Sequence, residues 1–368
     1  MASKPLYERI LSTLPVSQES CPLFGILPGE LRSQIFSLTL VDFPDPSPEK
    51  HYAADTCYTR PTYFAPRKSD TRLLRTCRAV YQEAWFLPFI LREQTHWLTS
   101  QERAPPEYDV SLQRPRLCSM LQQVNQQHGG ERVEIKGLRV FAQMVMLEEG
   151  YLATLLGTPH LHPRSLTLTI RHADWWWWEQ DKPLRFEGSW IARVCAEMSP
   201  SVHEVRIELE SLERKKDQVD AIAKQMIERW FFKRKDGVIL YPNSAGTDIE
   251  VGRWTGASTW HGHTWTKDET RPGQIDYYIT SIVFRPARDV KRGGGRVSET
   301  VRKAAEADIF SRSELRLRYM ARSASTHTGV QVLVEEQDED DSWSEEMDED
   351  EDEDEGEEAE DSEPEGDI

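Results

Sequence analysis

Four consecutive tryptophans, Trp175, Trp176, Trp177 and Trp178, stand between Asp174 and Glu179. Indole faces attract cations and tryptophan is a common anchor of protein interfaces, so the run is a candidate ligand or partner surface. The four rings cannot share one side. A helical turn would group Trp175 with Trp178, whereas an extended segment would set Trp175 and Trp177 against Trp176 and Trp178. Either way at least one ring is expected to reach solvent; the alternative is a structural cluster at a sheet edge, packed with Trp190 and Trp230. Two His-x-His pairs, His160-Leu161-His162 and His261-Gly262-His263, could each supply half of a metal site, with His172 close to Asp174. Two imidazoles without a Cys pair, an H-E-x-x-H or a carboxylate at ligand spacing do not make a site, so no metal or other cofactor is expected. Gly293-Gly294-Gly295 lacks the Lys-Ser/Thr of a phosphate loop and reads as a hinge. There is no G-x-S-x-G and no recognisable nucleophile with its base. No catalytic residue is named, and the chain is expected not to be an enzyme; an enzyme whose groups are scattered over the fold is the second alternative.

The charge is unevenly placed. The 368 residues carry a formal net charge of −18, but residues 335–368 hold 23 Asp and Glu and no Lys or Arg. The remaining 334 residues set 45 basic side chains against 40 acidic ones, so the body is mildly basic. Too charged and too poor in apolar groups to offset chain entropy, the tail is expected to be disordered and to suit basic partners such as histones. Residues 291–322 carry nine Lys or Arg against four acidic residues, which reads as a solvated helix face with internal ion pairs; nucleic acid is not an expected partner. No signal peptide or membrane-length apolar run is visible, the most apolar stretch, residues 85–91, being broken by Pro88. Five widely spaced cysteines without a C-x-x-C pair suit reduced thiols, hence a cytoplasmic or nuclear protein without membrane partners.

The spacing of apolar residues divides the chain. An amphipathic helix is predicted over 24–41, started by Pro28 and Glu30, with Leu27, Leu31, Ile35 and Leu38 on one face. Residues 41–70 read as a Pro-rich insertion, and a second helix runs from a cap at Asp70 or Thr71 to near Pro88. Strands follow at 138–147, 165–171 and around Val205, Ile207 and Leu209, the second with strict alternation and one buried face. A short helix is predicted over 189–198 and a longer one over 212–233, with Val219, Ile222, Met226 and Trp230 inward. Further strands fall at 238–241, 250–255 and 277–284, and a charged helix at 298–324. The fold class expected is α+β: helices first, then a mostly antiparallel sheet with packed helices, then the acidic tail. The segments are 1–22, a helical module at 23–100, a linker and helix at 101–132, an α+β domain at 133–290, a basic helix at 291–334 and the tail at 335–368.

Leu27-Pro28-Gly29-Glu30-Leu31-Arg32 resembles the opening of an F-box, and Leu74-Arg75-Thr76-Cys77-Arg78-Ala79-Val80-Tyr81-Gln82-Glu83-Ala84 resembles the second half of the F-box-like module of a family of uncharacterised fungal proteins. Residues 166–179, 209–230 and 254–265 are similar to the same family, so the resemblance covers roughly residues 23–286. It implies a protein–protein adaptor, in which the helical module docks on the Skp-type linker subunit of a cullin ubiquitin ligase while a separate domain holds the substrate. Leu27, Pro28, Leu31 and Ile35 would enter the partner's groove, as amphipathic helices do. About thirty Pro-rich residues separate the two motif halves here, where a compact F-box is continuous. The alternatives are that these helices pack as ordinary core, or that the chain is a nuclear protein whose tail engages basic partners.

Overall fold

Helix formation begins where prolines pre-set the backbone. In the computed structural model, which describes residues 6–56, 60–61, 63–128, 130–260 and 262–310, the first helices are α1 (Leu6–Ser12), α2 (Pro22–Gly25) and α3 (Gly29–Thr39). Pro28 takes the N-cap position of α3, so the helix expected over 24–41 is broken between Gly25 and Gly29. The insertion contributes β1 (Asp42–Pro44) and β2 (Arg67–Ser69), an antiparallel ribbon. The second predicted helix arrives in pieces. A 3-10 turn at Leu73–Arg75 is followed by extended Cys77, α4 (Arg78–Ala84) and α5 (Leu87–Ile90), whose first turn contains Pro88 instead of ending there. Phe36 of α3 and its C-cap Leu40 pack with Leu74, Val80, Ala84 and Leu87, so the ribbon returns the chain and the two motif halves close one small core.

An eight-stranded sheet forms the larger part. Its strands are β3 (Glu93–Leu98), β4 (Gly137–Ala142), β5 (Ser165–Ile170), β6 (Glu204–Leu212), β7 (Phe232–Lys233), β8 (Ile239–Pro242), β9 (Glu250–Ala257) and, after a small hairpin of β10 (Thr259–Trp260) and β11 (His263–Thr264), β12 (Gln274–Pro286). The order is β3-β4-β5-β6-β12-β8-β7, with β9 also beside β12. The α+β fold is as expected and antiparallel pairings outnumber parallel ones. The first four strands, however, run parallel. Parallel neighbours need crossovers, and these carry α6 (Val110–Gln127), α7 (Met144–Glu148) with α8 (Tyr151–Leu156), and α9 (Ile191–Glu197). The strand expected over 138–147 therefore stops at Ala142 and turns into α7. Helix α10 (Lys216–Arg229) follows β6 and buries Val219, Ile222 and Met226.

Strand alternation sorts the sheet residues into two buried layers. Val140, Leu168, Ile170, Ile207 and Leu209 face the helices, with Leu152, Val194, Ile222 and Met226 against them. On the other side lie Trp97, Phe141, Thr169 and Glu208, in register across β3 to β6. The expectation of one buried face for β5 fails here, because the insertion covers the second. Tyr63 packs on Phe141 and Trp97 with ring centroids 5.1 and 5.9 Å apart, and Arg60 reaches Glu208 at 3.1 Å.

After β12 come α11 (Ala287–Arg292) and α12 (Glu299–Glu306), the latter following Ser298 as expected. The expected hinge at 293–295 is a tethered turn. Gly294 has φ +79°, and a Cβ on Gly295 would stand 2.6 Å from the Asn243 side chain, whose Oδ1 accepts from Arg296 N at 2.9 Å. The rest of the predicted basic helix and the whole acidic tail lie outside the described residues. Among those described, no helix is long and apolar enough to cross a membrane.

Candidate functional site

The helix α3 presents two stripes, and only one is buried. Phe36 and Leu40 are 1% and 0% exposed, with Arg32 four residues before Phe36 completing the inward row. Arg32 lies over the Phe24 ring at 5.2 Å, donates from Nη1 to the Leu27 carbonyl at 2.8 Å and meets the Glu83 carboxylate. The predicted stripe therefore faces outward: Leu31 is 45%, Ile35 41% and Leu38 79% exposed. Of the four residues expected to bind a partner, Leu31 and Ile35 share this open face, Pro28 caps its start in solvent, and Leu27 is half-buried. Ile26, 76% exposed in the turn before α3, was not among them. Its only sequence signal is adjacency to Leu27.

The four tryptophans divide as a helical turn would divide them. Trp175 and Trp178 are buried, Trp176 is partly covered and Trp177 is 40% exposed. The preceding turn fixes them. Arg171 donates from its backbone N and its Nε to Asp174 Oδ2 at 3.1 and 2.7 Å, closing a 3-10 turn over His172–Asp174. Trp175 Nε1 then donates to the Glu210 carbonyl at 2.8 Å, and Trp176 Nε1 to Glu148 Oε1 at 2.9 Å. Trp177 adopts φ +50°, a left-handed conformation that a bulky side chain rarely takes, and it turns the next ring inward. Trp178 packs against Trp265 and Trp260, centroids 4.6 and 5.1 Å away, instead of against Trp190 and Trp230. Those two pack on Phe186, which also touches Trp175. The exposed Trp177 is already engaged by cations, with Lys182 Nζ 5.0 Å and the Arg185 guanidinium 5.8 Å from its ring centre. A cleft of 290 Å³ lies beside the run, with Arg103 and Asp174 in its walls.

Beneath the insertion the sheet carries buried charge. Arg139 donates to Glu93 at 2.7 Å, to Glu208 at 2.9 Å and to Thr169 at 3.2 Å. Burial alone would push the Glu208 carboxyl up, but Arg60 and Arg139 together hold it below the usual value. Glu210, wholly buried and with a weaker set of partners, is pushed up by its burial. His172 is driven down to about 3, first by burial and then by Lys215 and Arg214, and its Nε2 stands 3.9 Å from Asp268. Burial pushes the Cys195 thiol up to about 12, which leaves it protonated and inert. His160 has φ +61° and His162 Nδ1 pairs with the Ser199 hydroxyl at 2.9 Å, so this His-x-His pair is not a strand with both rings on one side. His261 lies outside the described residues. Among those described, no group of three His, Cys, Asp or Glu is placed to hold a metal ion.

No protein-family model, curated protein or solved structure matches this chain.

Proposed function

We propose that the chain is a non-enzymatic protein–protein interaction protein of the cytoplasm or nucleus, an F-box-like substrate adaptor that docks through α3 on the Skp-type linker subunit of a cullin ubiquitin ligase. The observation that carries the reading is the orientation of α3. A helix fastened to its own core by Phe36 and Leu40 keeps Leu31, Ile35 and Leu38 for something else. An exposed row at i, i+4 and i+7 is the arrangement that helix-in-groove recognition uses.

Magnitudes bound the contact. Scaled by their exposure, Ile26, Leu31, Ile35 and Leu38 offer about two and a half fully buried side chains, roughly 4–7 kcal/mol on transfer. Association itself costs about 4–15 kcal/mol, so this row supplies an anchor and the neighbouring backbone and rim must add to it. The insertion is compatible with docking, because it leads away over the sheet and leaves the α3 row open. Co-expression with a Skp-type linker subunit, followed by gel filtration, tests the reading: a stable co-eluting complex supports it and independent elution opposes it.

A further inference from the structure

A cleft of 580 Å³ lies away from the α3 row, between β2, α5, β3 and α6. We infer that it binds an extended acidic peptide carrying an apolar side chain, laid along the free edge of β3. The inference does not rest on linker-subunit docking.

Three features of the cleft select that ligand. The first is the strand. Among the described residues β3 is the end strand of the sheet, paired on one side only. Its Trp97 N–H, pointing away from β4, donates to Gln113 Oε1 at 2.9 Å, while Gln113 Nε2 donates back to the Trp97 carbonyl at 3.5 Å. One side-chain amide thus stands in for the peptide group of a missing neighbour. Strand alternation turns the Thr95 backbone the same way, and Thr95 lines the cleft. A peptide backbone fits beside Thr95, with Gln113 closing the far end.

The second feature is charge. Arg67, Lys68, Arg92 and Arg116 line the cleft against the single acid Glu107. Arg67 is paired with Asp42 and Lys68 with Asp45 at 2.7 Å, while Arg92 and Arg116 have no ion-pair partner among the described residues. Lys136 adds a further cation at Asp42, so the surroundings remain positive. Carboxylates on either side of a peptide's centre would complete the pairing.

The third is the floor. Phe89, Leu117 and Met120 give it an apolar wall, which takes one apolar side chain. Beside them His96 is only 5% exposed, and its Nε2 has no hydrogen-bond partner among the described residues. Burial, aided by Arg114, holds this imidazole down to about 4, so at neutral pH it is uncharged. An uncharged buried nitrogen without a partner is costly unless a ligand group meets it, and an incoming side chain or backbone carbonyl can do so.

The test is fluorescence anisotropy on the full chain, with a fluorescein-labelled nonapeptide of one leucine between two runs of four glutamates. Saturable binding is expected, weakened at least tenfold by Arg92→Glu with Arg116→Glu. The same peptide carrying N-methyl groups on alternate backbone nitrogens, titrated into the wild-type chain, is expected to lose most of its affinity. Any of four results would overturn the proposal: no saturable binding by the wild-type chain, undiminished binding by a folded double variant, undiminished binding of the N-methylated peptide, or stronger displacement by a DNA oligonucleotide of matched charge than by unlabelled peptide.

Discussion

Arg32 Nε donates to both carboxylate oxygens of Glu83, at 3.0 and 3.1 Å, tying the helix of the first motif to the helix of the second across fifty-one sequence positions. Both side chains are partly exposed, so solvent screens the pair; the single Nε–H is shared between the two oxygens, while Nη1 holds the same guanidinium to the Leu27 carbonyl. Arg32→Ala and Glu83→Ala should each cost about 1–2 kcal/mol, and the double variant little more than the worse single one. A double-mutant cycle in urea measures this. Strictly additive losses would show that the two helices do not depend on each other through this contact.

The two stripes of α3 should respond oppositely. Phe36→Ala, at a position 1% exposed, should destabilise by about 3–5 kcal/mol through the cavity it leaves. Leu38→Ser, at 79% exposure, should stay within about 0.5 kcal/mol of wild type. Thermal melting of both variants checks the orientation, and the reverse ranking would mean that the helix is turned the other way.

Arg139 serves two acidic partners beneath the insertion. Arg139→Met leaves Glu93 and Glu208 with less compensation in a covered layer, and a loss of about 3–5 kcal/mol is expected. Restoring part of that loss with Glu208→Gln in the same chain would identify the uncompensated carboxylate as the cause. If the second substitution makes matters worse, the charge layer is not what Arg139 supports.

Stability should fall on mild acidification. His172 and His96, held near 3 and 4, stay uncharged in the folded chain while the unfolded chain takes up protons below about 6.5. A lowered histidine therefore contributes stability above its unfolded value, and that stability drains as pH falls toward the folded value. Between pH 6.5 and 5 the two together should remove about 3 kcal/mol. Urea denaturation at those two pH values measures the slope, and His172→Asn with His96→Asn should flatten it. An unchanged slope in the double variant would place the effect elsewhere.

Much of the sheet was legible because its residues alternate. Leu166, Leu168 and Ile170 against Thr167 and Thr169, and Val205, Ile207 and Leu209 against Arg206 and Glu208, mark β5 and β6 whatever lies over them. Helix α10 was legible from Val219, Ile222 and Met226 for the same reason. What the pattern misses is decided by distant partners. β3, reading Glu-Gln-Thr-His-Trp-Leu, has no apolar period, because one of its sides meets the aromatic and charged layer under the insertion. The orientation of α3 was hidden likewise: its inward row is Arg32, Phe36 and Leu40, and an arginine does not look like core until Glu83 and Phe24 are beside it. At the tryptophan run the buried pair, Trp175 and Trp178, is the one a helical turn would group, but the backbone there is not helical: Trp175 is extended. The left-handed backbone at Trp177, which sends Trp178 to Trp260 and Trp265, has no local signature.

If the outward row of α3 is a docking surface, isothermal titration of a Skp-type linker subunit into the full chain detects it. The wild-type chain should bind, Leu31→Asp and Ile35→Asp should weaken binding at least tenfold while melting as wild type does, and Leu112→Asp, at a leucine 42% exposed on α6, should bind normally. No heat of binding with the wild-type chain, or an unchanged affinity in folded Leu31→Asp, would contradict it.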